Sequence, residues 1–255
     1  RIDIAGTVET ISHITADLLY RCYSCFYNLH NMVLSIAGNF DPEAALRLCD
    51  EILTPAEPIT VERAHIDEPY AVGSRRVEVK MPVATTMFQA GFKGVAGTES
   101  ENYKNQILDE LLCEIAAGEG SALYRRLYDA GLINNTFGGE VMCGRDYMSI
   151  IFGGESKDPD AVYAALCEEF DRLKREGIDP GDFERCKKAL YGKYIGIFSS
   201  SSAIATAMME TCFFGLGIYD ILEELSALTL EKLTTRLAET VDTANSAVSI
   251  VRPLA

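Results

Sequence analysis

Histidine is scarce in this chain. Only His13, His30 and His65 occur among 255 residues, and no two of them lie three or four positions apart. A zinc hydrolase needs imidazoles and a carboxylate close enough to reach one ion, so no metal ligand is assigned here. His65-Ile-Asp-Glu68 offers a carboxylate without a second imidazole. Three scattered histidines also leave any serine or cysteine nucleophile without a base. No G-x-S-x-G turn is present, and no catalytic residue is assigned. Long apolar runs are missing too: none approaches the roughly 20 residues of a membrane helix, so a soluble protein without membrane contact is expected. Basic residues are in deficit, 23 Lys+Arg against 38 Asp+Glu, for a net charge of −15. Such a surface repels phosphate backbones, and nucleic acid is not an expected partner.

Cysteine is not scarce. The eight cysteines sit mostly inside apolar patterns such as Leu111-Leu112-Cys113 and Ala164-Ala165-Leu166-Cys167, as free thiols used as small buried hydrophobes do. A chain of this length needs no disulfide staples, so a reducing cytoplasm is expected. Cys22-Tyr-Ser-Cys25 is a lone C-x-x-C without a second pair or a strand–helix redox context.

Apolar residues at 11, 14, 18, 19, 22 and 26 predict a helix over 7–31, followed by a short strand over 32–37. Asp41-Pro42-Glu43 predicts a helix start, running to about Ile52. A stretch with three prolines, 54–72, reads as a linker. Beyond it, Val77, Val79 and Met81 alternate with charged residues as in a half-buried strand. A second strand follows over 85–92, then helices over 102–117 and 121–130, the latter closed by Gly131. Strands over 133–142 and 147–153 come next, then a helix over 159–176. Asp179-Pro180 opens a long helix toward Phe214, interrupted near Ser199–Ser202. A helix over 230–240 and a strand over 247–251 complete the chain.

An internal match stands out. Ile14-Thr15-Ala16-Asp17 and Leu19 align with Leu228-Thr229-Leu230-Glu231 and Leu233; Asn31 through Ile36 align with Asn245 through Ile250. Both use one offset of 214 residues, from 14 to 228 and from 31 to 245. A shared register implies a repeat larger than the chain displays, with one full copy and only the closing piece of an earlier one. The chain is then expected to be a fragment. Chance likeness between two helix–turn–strand units is the competing explanation. Gly118-Glu-Gly120-Ser121 also has two readings: an anion cradle at a helix start, or a tight turn whose Ser121 caps the next helix. It lacks the P-loop lysine and the Rossmann spacing.

Two stretches carry a family resemblance. Tyr20 to Asp41, with Phe26-Tyr27, Asn31-Met32 and Gly38-Asn39-Phe-Asp41, resembles the insulinase/pitrilysin-type segment that closes the first half-repeat. Gly118-Glu-Gly120-Ser121-Ala-Leu123 through Gly131-Leu132 resembles the "G-x-G-x-S-x-L…L-R-x-x-x-G-L" helix of the second half. The likeness is to short bacterial members related to mitochondrial processing peptidase. It implies an α+β fold of the mitochondrial-processing-peptidase-like (LuxS/metallohydrolase-like) kind, an antiparallel-rich sheet packed by helices. The domains implied are residues 1–56, the closing helix–strand–helix of a zinc-bearing half-domain; 57–72, a linker; and 73–255, a complete non-catalytic half-domain. Zinc and its H-x-x-E-H motif would lie upstream of Arg1, in the N-terminal catalytic half. This chain would form the opposite wall of a peptide chamber and be inactive alone. The alternative is an inactive homologue that completes a partner peptidase's chamber. Partners implied are a peptide substrate, the catalytic half-domain, and a related subunit in a homo- or heterodimer. The family's Arg and Tyr that engage substrate fall at Tyr128 and Asn134 here, so those contacts are missing, which fits the zinc-bearing member of a pair. Substrate contact is therefore assigned to Gly120, Ser121, Arg145 and Tyr147.

Overall fold

The computed structural model describes residues 4–62, 64, 69–144 and 146–254. The chain divides into two compact units, residues 1–66 and 67–255. His65 and Arg145 lie outside the described residues.

In the first unit, the helix predicted over 7–31 is broken into α1 (Val8–Ser12), α2 (Ala16–Phe26) and a 3-10 turn, Leu29–Asn31. The break has a local cause. Thr15 is extended, and its hydroxyl accepts the Leu18 N–H at 3.2 Å, restarting the helix as a cap. Asn28 does the same for the turn, accepting from the His30 N–H at 2.9 Å. Helix α3 (Pro42–Ile52) starts where predicted, with Asp41 accepting from Glu43 and Ala44. The strand predicted over 32–37 is not formed: Met32 is extended, but the segment pairs with no strand among the described residues. Extended backbone becomes a strand only through a ladder partner. None of these helices buries a residue.

The second unit contains a five-stranded sheet in the order β1-β5-β2-β4-β3. Its strands are β1 (Arg76–Met81), β2 (Met87–Gly94), β3 (Gly138–Cys143), β4 (Met148–Glu155) and β5 (Ser246–Pro253). Only β1 and β5 pair in parallel; the other three pairings are antiparallel. The helices are α4 (Glu99–Ala117), α5 (Ala122–Asp129), α6 (Pro159–Glu176), α7 (Pro180–Gly196), α8 (Ser201–Phe213), α9 (Asp220–Ser226) and α10 (Leu230–Thr240). The α+β fold with an antiparallel-rich sheet packed by helices is thus the one adopted.

Strand alternation assigns the core to one face of the sheet. Phe88, Ala90 and Phe92 of β2, Ile150 and Phe152 of β4, and Val248 and Ile250 of β5 are buried under α4, α6 and α10. Helix α6 answers with Val162, Leu166, Phe170 and Leu173 at helical spacing. The Phe92 and Phe170 rings meet edge-on, 4.9 Å between centroids, and each buried ring contributes on the order of 1.5–3 kcal/mol. Arg236 of α10 grips Asp109 of α4 through two hydrogen bonds of 2.9 and 2.7 Å. Both side chains are at most 5% exposed, and the bidentate contact compensates their desolvation.

Several boundaries move for identifiable reasons. Helix α4 begins three residues before the predicted start because Thr98 and Glu101 form a capping box. Residues 133–137 are not strand: the Asn134 carboxamide accepts from the Thr136 N–H at 2.9 Å and folds a turn. The long helix after Pro180 is interrupted at Ile197–Ser199, next to the expected break, whereas α9 was not anticipated. β1 keeps the predicted alternation but has no buried side chain, because it is an edge strand and its apolar side faces away from the helices. All eight cysteines are free, yet only Cys113 and Cys186 are buried; Cys22, Cys25 and Cys212 are exposed.

Candidate functional site: the open face of the sheet

Within the second unit, the opposite face of the sheet carries no helix layer among the described residues. Register puts Val77, Val79 and Met81 of β1 beside Ser249, Val251 and Pro253 of β5, then Met87 and Gln89 of β2, Gly153 of β4, and Gly138 and Glu140 of β3. A groove of about 450 Å³ lies here, lined by Met87, Gln89, Gly138, Glu140, Gly153 and Ser249 among others. Its outer margin is β3, an edge strand whose outer main-chain groups pair with no strand among the described residues.

Two glycine pairs meet at the groove, and their members differ. Gly139 is demanded by the core: a Cβ there would lie 2.7 Å from the Phe152 ring. At Gly154 a Cβ would lie 2.8 Å from the Phe137 backbone. Gly138 is different, because a Cβ there would meet nothing within 4 Å. Strand glycine weakens a sheet unless something must approach closely, and the fold itself does not need the space at Gly138. Gln89, Glu140 and Ser249 add an amide, a carboxylate and a hydroxyl around this clear floor. Such a surface can hold an extended chain, with main-chain pairing at β3 and side chains over the glycines.

Of the residues assigned from the sequence, Gly120, Ser121 and Tyr147 do not line this groove. Ser121 caps α5, its hydroxyl accepting from the Tyr124 N–H at 3.0 Å, and is buried. Gly120 leaves room for Arg185, whose Nη1 would be 2.8 Å from a Cβ. Arg185 in turn pairs with Asp182 at 2.8 Å. Tyr147 is exposed in the β3–β4 turn, its ring against Gly144. Arg145 lies outside the described residues. No hydrogen bond among the described residues joins the Gly120–Ser121 turn to Tyr147. The groove was therefore missed, although Gly138-Gly139 and Gly153-Gly154 inside strand patterns were a readable signal. Tyr128 and Asn134 are also accounted for: Tyr128 stacks on Tyr124 at 5.9 Å, and Asn134 donates to Glu155 at 2.8 Å.

Among the described residues no metal cluster assembles, and the buried thiols are held away from the nucleophilic form. Burial pushes the thiols of Cys113, Cys143, Cys167 and Cys186 above their ordinary value, away from thiolate. His13 is exposed after α1, and His30 bonds through Nε2 to the Ala56 carbonyl at 2.9 Å. Among the described residues no group of three or more His, Cys, Asp or Glu could hold a metal ion. These residues do not fit a zinc site, and no chemical step is routed through one.

Comparison with known proteins assigns this helix-backed sheet to a family. Residues 13–190 match the family profile "Peptidase M16 inactive domain". The chain belongs to the M16 peptidase family. It is 32% identical over 253 residues to "Uncharacterized zinc protease YmfH" of Bacillus subtilis (strain 168), covering 94% of this chain and 57% of that protein. The crystal structure of a candidate M16-like peptidase from Alicyclobacillus acidocaldarius superposes with a TM-score of 0.92 at 28% identity, over 99% of this chain and 62% of that one. A protease from Helicobacter pylori shares the fold at a TM-score of 0.83 and 18% identity, over 97% and 61%. The chain thus spans less than two thirds of the length of these relatives.

Proposed function

We propose that this chain is the zinc-free wall of a peptidase chamber. The zinc and its general base would belong to a separate catalytic half, and the intact protein would hydrolyse peptide bonds. The observation that carries this reading is the open sheet face, with a glycine at position 138 whose lack of a side chain the fold does not require. In this reading a peptide lies along the groove, extends the sheet at β3, and is held by Gln89, Glu140 and Ser249 while the catalytic half acts on it. Tyr147 would contact the same peptide from the β3–β4 turn. Gly120 and Ser121 would support the wall rather than line it. Membership of the M16 family, matched at its inactive domain, supports the assignment, as does the likeness to a Bacillus subtilis protein named as a zinc protease.

Two measurements test it. The 255-residue chain is expected to be zinc-free and inert in a peptide-library assay, and the full-length product to bind zinc and cleave. A full-length product that binds zinc stoichiometrically yet cleaves nothing would sink the reading. Within the cleaving protein, Gly138→Val is expected to leave stability within about 0.5 kcal/mol and to slow cleavage of long peptides. Gly139→Ala should instead cost about 1–3 kcal/mol through overpacking against Phe152.

A further inference from the structure

A second cavity, of about 240 Å³, lies among the helices of the second unit and shares no lining residue with the groove. Its walls come from α4, from α10 and from α9 with the turn after it. The floor is apolar: Ile107 and Leu228 are at most 5% exposed, and Leu108 is half-buried. An ion pair of 3.0 Å between Lys104 and Glu224 joins the α4 and α9 walls.

Three polar groups lining the cavity have spare bonding capacity. The Lys232 ammonium and the Asn105 carboxamide make no hydrogen bond or ion pair among the described residues. Glu101 spends Oε2 on the Thr98 N–H at 2.8 Å and the Thr98 hydroxyl at 2.7 Å, which leaves Oε1 open. Those bonds hold the Glu101 carboxyl below its ordinary value, so it stays an anion. Lys232 is out of place on local grounds. It sits in the first turn of α10, its own N–H donated to the Thr229 hydroxyl at 3.2 Å. The positive end of the helix dipole disfavours a cation there, and no acidic partner offsets that cost among the described residues. A carboxylate arriving beside Lys232 would gain from both the ammonium and the helix end.

We propose that this cavity binds a small zwitterion with an apolar side chain: an apolar amino acid, or a dipeptide of such residues. The ligand carboxylate meets Lys232 and the Asn105 amide N–H, its ammonium meets Glu101, and its side chain covers Ile107, Leu108 and Leu228. Volume sets the size. Pockets for drug-sized ligands start at about 300 Å³, so this one suits nothing larger than a dipeptide. Charge sets the class. Two carboxylates, Glu101 and Glu224, and two ammonium groups, Lys104 and Lys232, line the cavity, and the Lys104–Glu224 pair satisfies itself. One group of each sign is left over, which fits a ligand that carries both. A simple fatty carboxylate would be repelled by Glu101, and a simple amine by Lys232. Peptide hydrolysis is the class of reaction that releases such zwitterions. The site rests on the cavity alone and not on the proposed chamber, so either reading can fail without the other.

Calorimetric titration of the 255-residue chain with leucine and with leucyl-leucine tests it. At least one should bind with a Kd on the order of 1 mM, and the tighter of the two decides between free amino acid and dipeptide. The N-acetylated form of that ligand lacks the ammonium and its amide lacks the carboxylate; each should bind about tenfold more weakly. Glycine, which brings no side chain to the floor, should not bind measurably. Lys232→Met keeps the apolar stem, removes the charge and should weaken binding about tenfold. Glu101→Gln keeps the capping box and should weaken the free ligand to a similar degree while leaving its N-acetylated form unchanged. It also covers the case in which the Lys232 variant does not fold. The proposal is overturned if neither ligand titrates at about 20 mM, or if glycine or the blocked forms bind as well as the free ligand. It is equally overturned if both variants bind as the natural chain does. Heat of binding reads this cavity and not cleavage, so an inert protein that binds leucine would end the peptidase reading alone.

Discussion

Leu19 and Leu233 occupy the same place in two copies of one motif, four residues after a threonine cap. One is 59% exposed and the other fully buried. The pair separates two kinds of information. Caps, turn residues and the exit into extended backbone are set by neighbours a few positions away, and they come out alike in both copies. Burial, pairing and the energetic weight of each apolar side chain depend on partners far along the chain. Among the described residues the second copy has those partners and the first does not, so one leucine is buried and its counterpart is exposed.

The largest contrast is expected at Arg236 and its counterpart Cys22. Arg236→Ala would leave Asp109 buried without its partner and should cost about 3–5 kcal/mol in denaturant unfolding. Cys22→Ala, at an exposed site, should change stability by less than about 0.5 kcal/mol. A mild Arg236→Ala phenotype would show that the pair is not what joins α10 to α4. Leu233→Ala is next, with an expected loss of about 2–5 kcal/mol, against a negligible loss for Leu19→Ala in the 255-residue chain. If Leu19→Ala were as damaging there, the first copy would already be packed and the comparison would collapse. Ile250→Val against Ile36→Val repeats the contrast at finer scale, about 0.5–1.5 kcal/mol against nearly none.

The smallest effect concerns the edge strand β1, which the first copy lacks altogether among the described residues. Glu78 bonds to Arg252 at 2.6 Å and to Arg76 at 2.8 Å, and Asp160 pairs with Arg76. The Arg252 contact chiefly, then Arg76, holds Glu78 below its ordinary value; Arg76 does the same for Asp160. A carboxylate with a depressed folded pKa lends stability that is present above its unfolded pKa and lost as pH falls through the folded one. Amides of β1 should therefore exchange faster below about pH 4, and high salt should blunt the difference. No pH dependence at β1 would mean that these exposed pairs contribute nothing measurable.

Much of the fold was legible because its signals are local. Asp41-Pro42, Asp158-Pro159 and Asp179-Pro180 mark helix starts, and Gly131 ends a helix with a left-handed φ of 64°. Misreadings arose where one side chain overrode periodicity, as Thr15 and Asn134 do. The candidate site was less legible. Gly120 and Ser121 drew attention as a motif, yet their smallness and hydroxyl serve Arg185 and the α5 cap. The groove instead joins β2, β3, β4 and β5, from residues 87 to 251, which no window of sequence brings together.

By itself the sequence determined the helix starts, the turn between the two members of each repeat, the α+β composition and the absence of a histidine set for zinc. Each depends on residues a few positions apart or on composition alone. Only the tertiary structure decided which face of the sheet stays open, which of two adjacent glycines is demanded by the core, and which copy of the repeat is covered. Those outcomes depend on strand order and register, where residues more than a hundred positions apart become neighbours through hydrogen bonds that no local pattern encodes.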